Sequence, residues 1–304
     1  MNRLTGIIVA VLGVLVAVLG FTKILPNLGS TGIYLILLGG LLFGLSFIPM
    51  PEAIESEPMS LPEKLLKMFY APTEVFNNLR RHPRFLGVVL IISVISGIYT
   101  LAFFQRLTPE RITNHTIEKI VESGWVPADQ IEKVKQETLE TNSNPTARVG
   151  QTVNSFVGLV FLTAFLGLVF WLIILAFGGQ MNYWQAIAAT AYAFFPVTLI
   201  QKSLSLLILY LKDPTEIHPI LGQSTLVQDS LNFLIAPSAS PVLYTLLSSF
   251  SLLAIYWIWL QATGLKNTGE RVSPTAAWSS AILIWVVGLG LGVVAALLFG
   301  KFMS

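Results

Sequence analysis

Apolar residues in this chain come in long runs separated by polar segments, not in alternation. The stretches 4–21, 33–48, 85–104, 153–177, 184–211, 242–262 and 276–299 carry almost no charge. Each approaches the roughly 20 residues that an α-helix needs to cross about 30 Å of hydrocarbon. The strands of a membrane barrel would be about half as long and would alternate in polarity. The pattern predicts an all-α, polytopic transmembrane helical bundle of about seven membrane helices: an N-terminal hairpin followed by a five-helix core.

Residues 1–50 read as the hairpin. Gly6, Gly13 and Gly20 recur every seven residues, and the second run carries Gly40-x-x-x-Gly44. Small residues let helix backbones approach in lipid, here within one chain in preference to a homodimer. Pro26, Asn27 and Gly29 break the turn at 22–32, and Pro49 and Pro51 close the hairpin. Met1-Asn2-Arg3 before an apolar run is a signal-peptide opening, but the run at 6–21 is long for such a core and no A-x-A-like site follows it. The reading is a retained helix.

Residues 51–84 read as a linker with interfacial amphipathic helices. An acidic stretch, 52–57, precedes Ser60-Leu61-Pro62-Glu63, which has capping-box spacing with proline at an early helical position. Leu61, Leu65, Met68 and Phe69 fall on one helical face, with Glu63, Lys64 and Lys67 off it. Pro72 interrupts, and a second short helix turns Val75, Phe76 and Leu79 inward. A basic knot, Arg80-Arg81-His82-Pro83-Arg84, then meets an uncharged run. The segment is expected to lie on the membrane surface. Lys64, Lys67, Arg80, Arg81 and Arg84 are its candidate surface and orientation residues, each contributing about 1 kcal/mol beside anionic headgroups.

Residues 85–304 read as a five-helix membrane domain with a polar insert at 105–152 and a polar loop at 212–241. In the insert, Thr108-Pro109-Glu110 starts a helix that Gly124 ends, Pro127-Ala128-Asp129 starts another to about residue 139, and 141–147 reads as loop. Six basic and seven acidic residues make the insert a solvated mixed-charge face. The run 184–211 is expected to break near Pro196.

Composition narrows the function classes. The chain is 54% hydrophobic and 11% charged, against about 25% charged in soluble domains, and its mean hydropathy is +0.73. A net charge of +2 does not suggest a nucleic-acid partner. Without cysteine there is no disulfide, thiolate nucleophile or iron–sulfur site. Basic residues divide eight to nine between the two sides of a seven-span topology. The tight 80–84 cluster and the short 263–274 loop decide the orientation, because dense charge beside helix ends outweighs dispersed charge in long loops. The N-terminus is then inside and the C-terminus outside.

The candidate chemistry is sparse. His82, His115 and His218 sit in three separate polar segments, with no metal or catalytic spacing among them. Gly288-x-Gly290-x-Gly292 lies within an apolar run, not after a strand, so it is not a phosphate loop. No cofactor is expected. Lys202 is the one charge deep in an apolar run, about 15 Å along a straight helix from Lys212. Such a charge costs about 2.5–3.5 kcal/mol on insertion scales. Two readings stand: an intramembrane polar site of Lys202, Gln201 and Pro196 in a transporter or channel, or a structural lysine that snorkels or marks a split helix.

Three stretches resemble a family. Met68-Phe69-Tyr70-Ala71-Pro72-Thr73-Glu74-Val75-Phe76 with Arg80-Arg81-His82-Pro83-Arg84 resembles the opening of Yip-type domains of bacterial proteins. Trp184-Gln185-Ala186 through Ala191-Tyr192-Ala193-Phe194-Phe195-Pro196 is similar to the family's Tyr-then-Pro helix. Ile258-Trp259-Leu260-Gln261-Ala262-Thr263-Gly264-Leu265-Lys266, followed by Ser273-Pro274-Thr275-Ala276-Ala277-Trp278, resembles its last loop and helix. The likeness covers roughly residues 61–300 and leaves the glycine-rich hairpin outside. It implies five membrane helices, a cytosolic N-terminal side and no catalytic residues. Eukaryotic members act in vesicle traffic with Rab-type GTPases, but their DLYGP-like sequence is not present here, so GTPase binding is not carried over. The resemblance implies a non-enzymatic protein of a bacterial cytoplasmic (inner) membrane, with a membrane-organising, trafficking-like or protein-interaction role. Its partners would be the lipid bilayer with its anionic headgroups and other membrane proteins or further copies of itself.

Overall fold

The computed structural model describes residues 3–25, 27–50, 57–124 and 126–300. Pro26, Pro51, the acidic residues Glu52 and Glu55 of the linker, and Lys301 lie outside the described residues. In chain order the helices are α1 (Arg3–Phe21), α2 (Gly29–Leu45), α3 (Leu61–Tyr70), α4 (Pro72–Arg81), α5 (Leu86–Leu107), α6 (Pro109–Ser123), α7 (Ile131–Ser143), α8 (Pro145–Ala176), α9 (Tyr183–Leu211), α10 (Leu221–Ser224), α11 (Pro241–Ser248), α12 (Leu252–Thr268) and α13 (Pro274–Phe299). Among the described residues, five are long and apolar enough to cross a membrane: α1, α5, α8 from Thr146, α9 and α13; α2 is a shorter apolar helix. The protein is an all-α helical membrane bundle.

The chain forms two compact units. The first comprises Met1–Ser93, Glu140–Tyr192 and Gly264–Val272; the second comprises Val94–Leu139, Ala193–Thr263 and Ser273–Ser304.

In the first unit, α1 and α2 pack as an antiparallel pair along a seam of small residues. Gly6, Ala10, Gly13, Ala17 and Gly20 alternate four and three residues apart, the 3.5-residue repeat of a coiled-coil seam. They meet Gly29, Gly32, Ile36, Gly39 and Phe43 of α2. A Cβ on Gly6 would lie 2.6 Å from the Phe43 nitrogen, and one on Gly13 2.5 Å from that of Ile36. The sequence pointed to Gly40 and Gly44, but nothing lies within 4 Å of a Cβ at either. Gly29, Gly32 and Gly39 carry the contact instead, and α2 already begins at Gly29 inside the expected turn. Arg3 at the start of α1 lies 4.5 Å over the Phe47 ring just beyond α2.

The rest of this unit buries Met68, Val75, Phe76 and Leu79 of α3 and α4 with Val88, Trp184, Ile187 and Leu265. Gly264 lets α12 approach the Phe76 ring and Ala189. The second unit centres on Tyr99, Phe103, Phe104, Leu107, Ile112, Leu209 and Ile217.

Three further features depart from the pattern reading. The loop expected at 141–147 is a single residue, Asn144, between α7 and α8. Its side chain accepts a hydrogen bond from the Thr146 N–H at 2.9 Å, and Pro145 follows at the first helical position, a complete helix-start signal. The helix α9 does not break at Pro196. Proline removes one N–H from the ladder, a loss that a long membrane helix can sustain. The run 242–262, by contrast, is two helices. Ser249 Oγ donates to the Thr245 carbonyl at 3.0 Å, and Ser251 Oγ accepts from the Ala254 N–H at 2.9 Å. Local serine hydrogen bonds compete with the helical ladder in this way.

Candidate functional site

The basic segment folds as two short helices meeting at Pro72. Ser60 caps α3 by accepting from the Glu63 N–H at 3.4 Å. Lys67 spans the bend, 3.2 Å from Glu63 and 3.0 Å from Glu74. Hydrogen bonds to Glu74 and then Glu63 push its pKa up. Lys64, read from the sequence as lying off the apolar face, is only 3% exposed. It stands four residues before the buried Met68, and positions four apart share a face. Burial, then the charge of Arg84, lowers its pKa to about 8, against an opposing pull from Glu63. The outward face of α3 is Leu66, Phe69 and Tyr70, which are 67%, 42% and 72% exposed. Phe69 thus faces away from Met68, with which the pattern had grouped it.

Arg80 does not stand free in a basic knot. Its guanidinium donates to the Gly269 carbonyl, and its own carbonyl accepts from Gln185 Nε2 at 2.9 Å. Gln185 Oε1 accepts from the Asn182 N–H at 2.8 Å, and Asn182 Nδ2 donates to the Pro49 carbonyl at 3.2 Å. The Gln180 N–H donates to the Arg271 carbonyl at 2.8 Å. Four connecting segments of this unit are therefore tied together at the end of α4. Arg81 is half-buried and Arg84 exposed.

Lys202, in the second unit, is half-buried. Its ammonium donates to the Ser224 carbonyl and lies 4.6 Å over the Tyr99 ring. The Tyr99 hydroxyl donates to the Gly222 carbonyl. Ser205 Oγ accepts from the Leu226 N–H at 3.0 Å. The turn 218–226 is thus fastened to α5 and α9 from both helices. Gln201, half-buried, and Pro196, buried, are not among these partners of Lys202.

With this geometry in view, the model of the Yip1 domain matches residues 66–296. The chain belongs to the Yip1 family. No curated protein and no solved structure matches it. The Yip1 match runs from α3 to α13 and leaves α1 and α2 outside.

One arrangement in the Yip1 region was invisible in the sequence. His115 on α6 and His218 after α9, 103 positions apart, meet edge to face with ring centroids 5.0 Å apart. Arg111 joins the same two segments, donating to the carbonyls of Pro214, Thr215 at 3.2 Å and Ile217 at 3.1 Å. Burial, then Lys119, holds the His115 pKa below its usual range. Among the described residues no group of three or more His, Cys, Asp or Glu is placed to hold a metal ion.

Proposed function

We propose that this Yip1-family protein is non-enzymatic and organises the membrane, or the membrane proteins around it, through the outward face of α3. The supporting observation is that Leu66, Phe69 and Tyr70 stand exposed on a helix held in place by its own buried face and by the Arg80 network at the end of α4. An exposed apolar face on a rigid amphipathic helix, with Arg81 and Arg84 just before the uncharged α5, suits an acyl–headgroup boundary. The N-terminus is inside in this reading, in a bacterial cytoplasmic membrane, and the C-terminus outside.

The chain has no cysteine, so single spin labels test the reading directly. Labels at Leu66 and Tyr70 in proteoliposomes should be reached by oxygen and shielded from a water-soluble nickel complex. Equal nickel access there and at Glu63 would sink the surface reading. The transporter alternative requires Lys202 to act on a solute. A substrate flux that Lys202→Met abolishes without unfolding the protein would establish that alternative and overturn this one.

A further inference from the structure

The segment 217–226 is fastened at one end by a histidine. His218 Nδ1 accepts from the N–H groups of Ile220 and Leu221, both at 3.2 Å. The Gly222 N–H returns to the His218 carbonyl at 3.0 Å, closing the first turn of α10. Two residues ahead of the N-cap Ile220, the imidazole thus satisfies the N–H groups of Ile220 and Leu221 where α10 begins. With two N–H donors aimed at Nδ1, the neutral ring carries its hydrogen on Nε2. A metal ion at Nε2 would require that hydrogen to move to Nδ1, against those same donors, so the site does not suit metal.

A proton meets the same obstacle, and that gives the site a use. Imidazolium has a donor on both nitrogens and no acceptor. The two backbone N–H groups would face a third N–H, and the start of α10 would lose its cap. The carbonyls at the other end of the turn, Gly222 and Ser224, are those that hold Tyr99 and Lys202. We propose that His218 is a proton-responsive cap, whose protonation loosens the 218–226 turn and releases its hold on Tyr99 and Lys202.

The surroundings add to the effect. From α6, His115 touches the His218 ring and Arg111 holds the Ile217 carbonyl. Glu110 and Glu118 of α6, with Glu216 of the same loop, line the adjoining cavity of about 820 Å³. Lys119 and Glu122 also act electrostatically on His115. Lys212 and Glu216 share a second cavity with His218. Asp213 is occupied with Thr215. A charge gained by His218 therefore meets Arg111, and His115 if it too is protonated, while Glu118 and Glu216 give the opened imidazolium acidic groups to turn toward.

Amide exchange on the full chain in lipid nanodiscs tests this. The protection of 218–226, corrected for intrinsic exchange, should fall about tenfold or more from about pH 7.5 to about pH 5, the range in which histidine changes charge. Protection in α6 and in the middle of α9 should hold. His218→Asn supplies an acceptor that does not titrate, so its protection should stay flat over the same range. His218→Asp, ionised throughout, is the second variant and should also stay flat. A flat wild-type profile would overturn the proposal, as would an equal fall in the variant that folds, because the titrating group would then not be His218.

Discussion

Lys202 shows how one residue's role depends on a partner distant in sequence. It lies nine positions before the end of α9, where an isolated charge is costly. The Ser224 carbonyl and the Tyr99 ring take up its ammonium. A cation–π contact contributes about 0.5–2 kcal/mol, and a charged hydrogen bond about 1.5–3 kcal/mol, so the gain and the desolvation cost are of similar size. Lys202→Met should therefore shift the free energy of unfolding in mild detergent by no more than about 1 kcal/mol in either direction, while exchange at 224–226 rises; a collapse of the fold would contradict this. Lys64 is a different case, since burial holds its pKa down at about 8. A base with a depressed folded pKa penalises folding while charged. Stability should rise with pH between about 8 and the ordinary 10.5 and level off above. Lys64→Met should be more stable at neutral pH by about 1 kcal/mol or more and should lose that rise. Urea titrations at successive pH values would measure both.

At the scale of elements, the α1–α2 pair is held by the close approach of backbones, not by large side chains. Substituting valine at Gly13 or Gly32 would force the helices apart, at a cost of about 1–3 kcal/mol or more for overpacking a tight contact. Gly40→Val and Gly44→Val, at positions with open space beside them, should be nearly neutral. Thermal stability in detergent would rank the four variants. The heptad of Gly6, Gly13 and Gly20 was legible because one period repeats along one helix. Which α2 glycines answer it was not, since Gly32, Gly39, Gly40 and Gly44 are alike in composition and differ only in rotation about the helix axis. The split of 242–262 was hidden for a related reason. Hydropathy averages over serines, whereas a helix ends where their hydroxyls capture backbone groups.

For the whole molecule, the connecting segments sort themselves within each unit. In the first, the segments near 46–50, 80–84, 178–185 and 268–272 share one network. At the other end of α8, Gly150 lies against Leu28 and Thr31. In the second, α6 meets the loop after α9 through Arg111 and the histidine pair. Within the first unit, this sorting suits an alternating path through a bilayer. With the N-terminus inside, reporter fusions after Gly178 and Gly269 should report cytoplasm, and fusions at Asn142 and Ser224 the outer side. The reverse pattern would show that the charge cluster at 80–84 does not set the orientation.

Sequence alone determined the membrane class, the helical fold and the Yip-type resemblance, because each rests on local quantities: run length, charge density and short motifs. It also determined the capped start of α3, its bend at Pro72 and the glycine end of α6, where neighbouring residues satisfy one another's backbone groups. Only the tertiary structure decided which face of α3 looks outward, that Arg80 is bound to the Gly269 carbonyl, that Lys202 holds a turn 22 residues further on, and that His115 lies against His218. Those are contacts between distant segments. An amphipathic period says that a helix has two faces, but which of them is covered depends on what the rest of the chain brings against it.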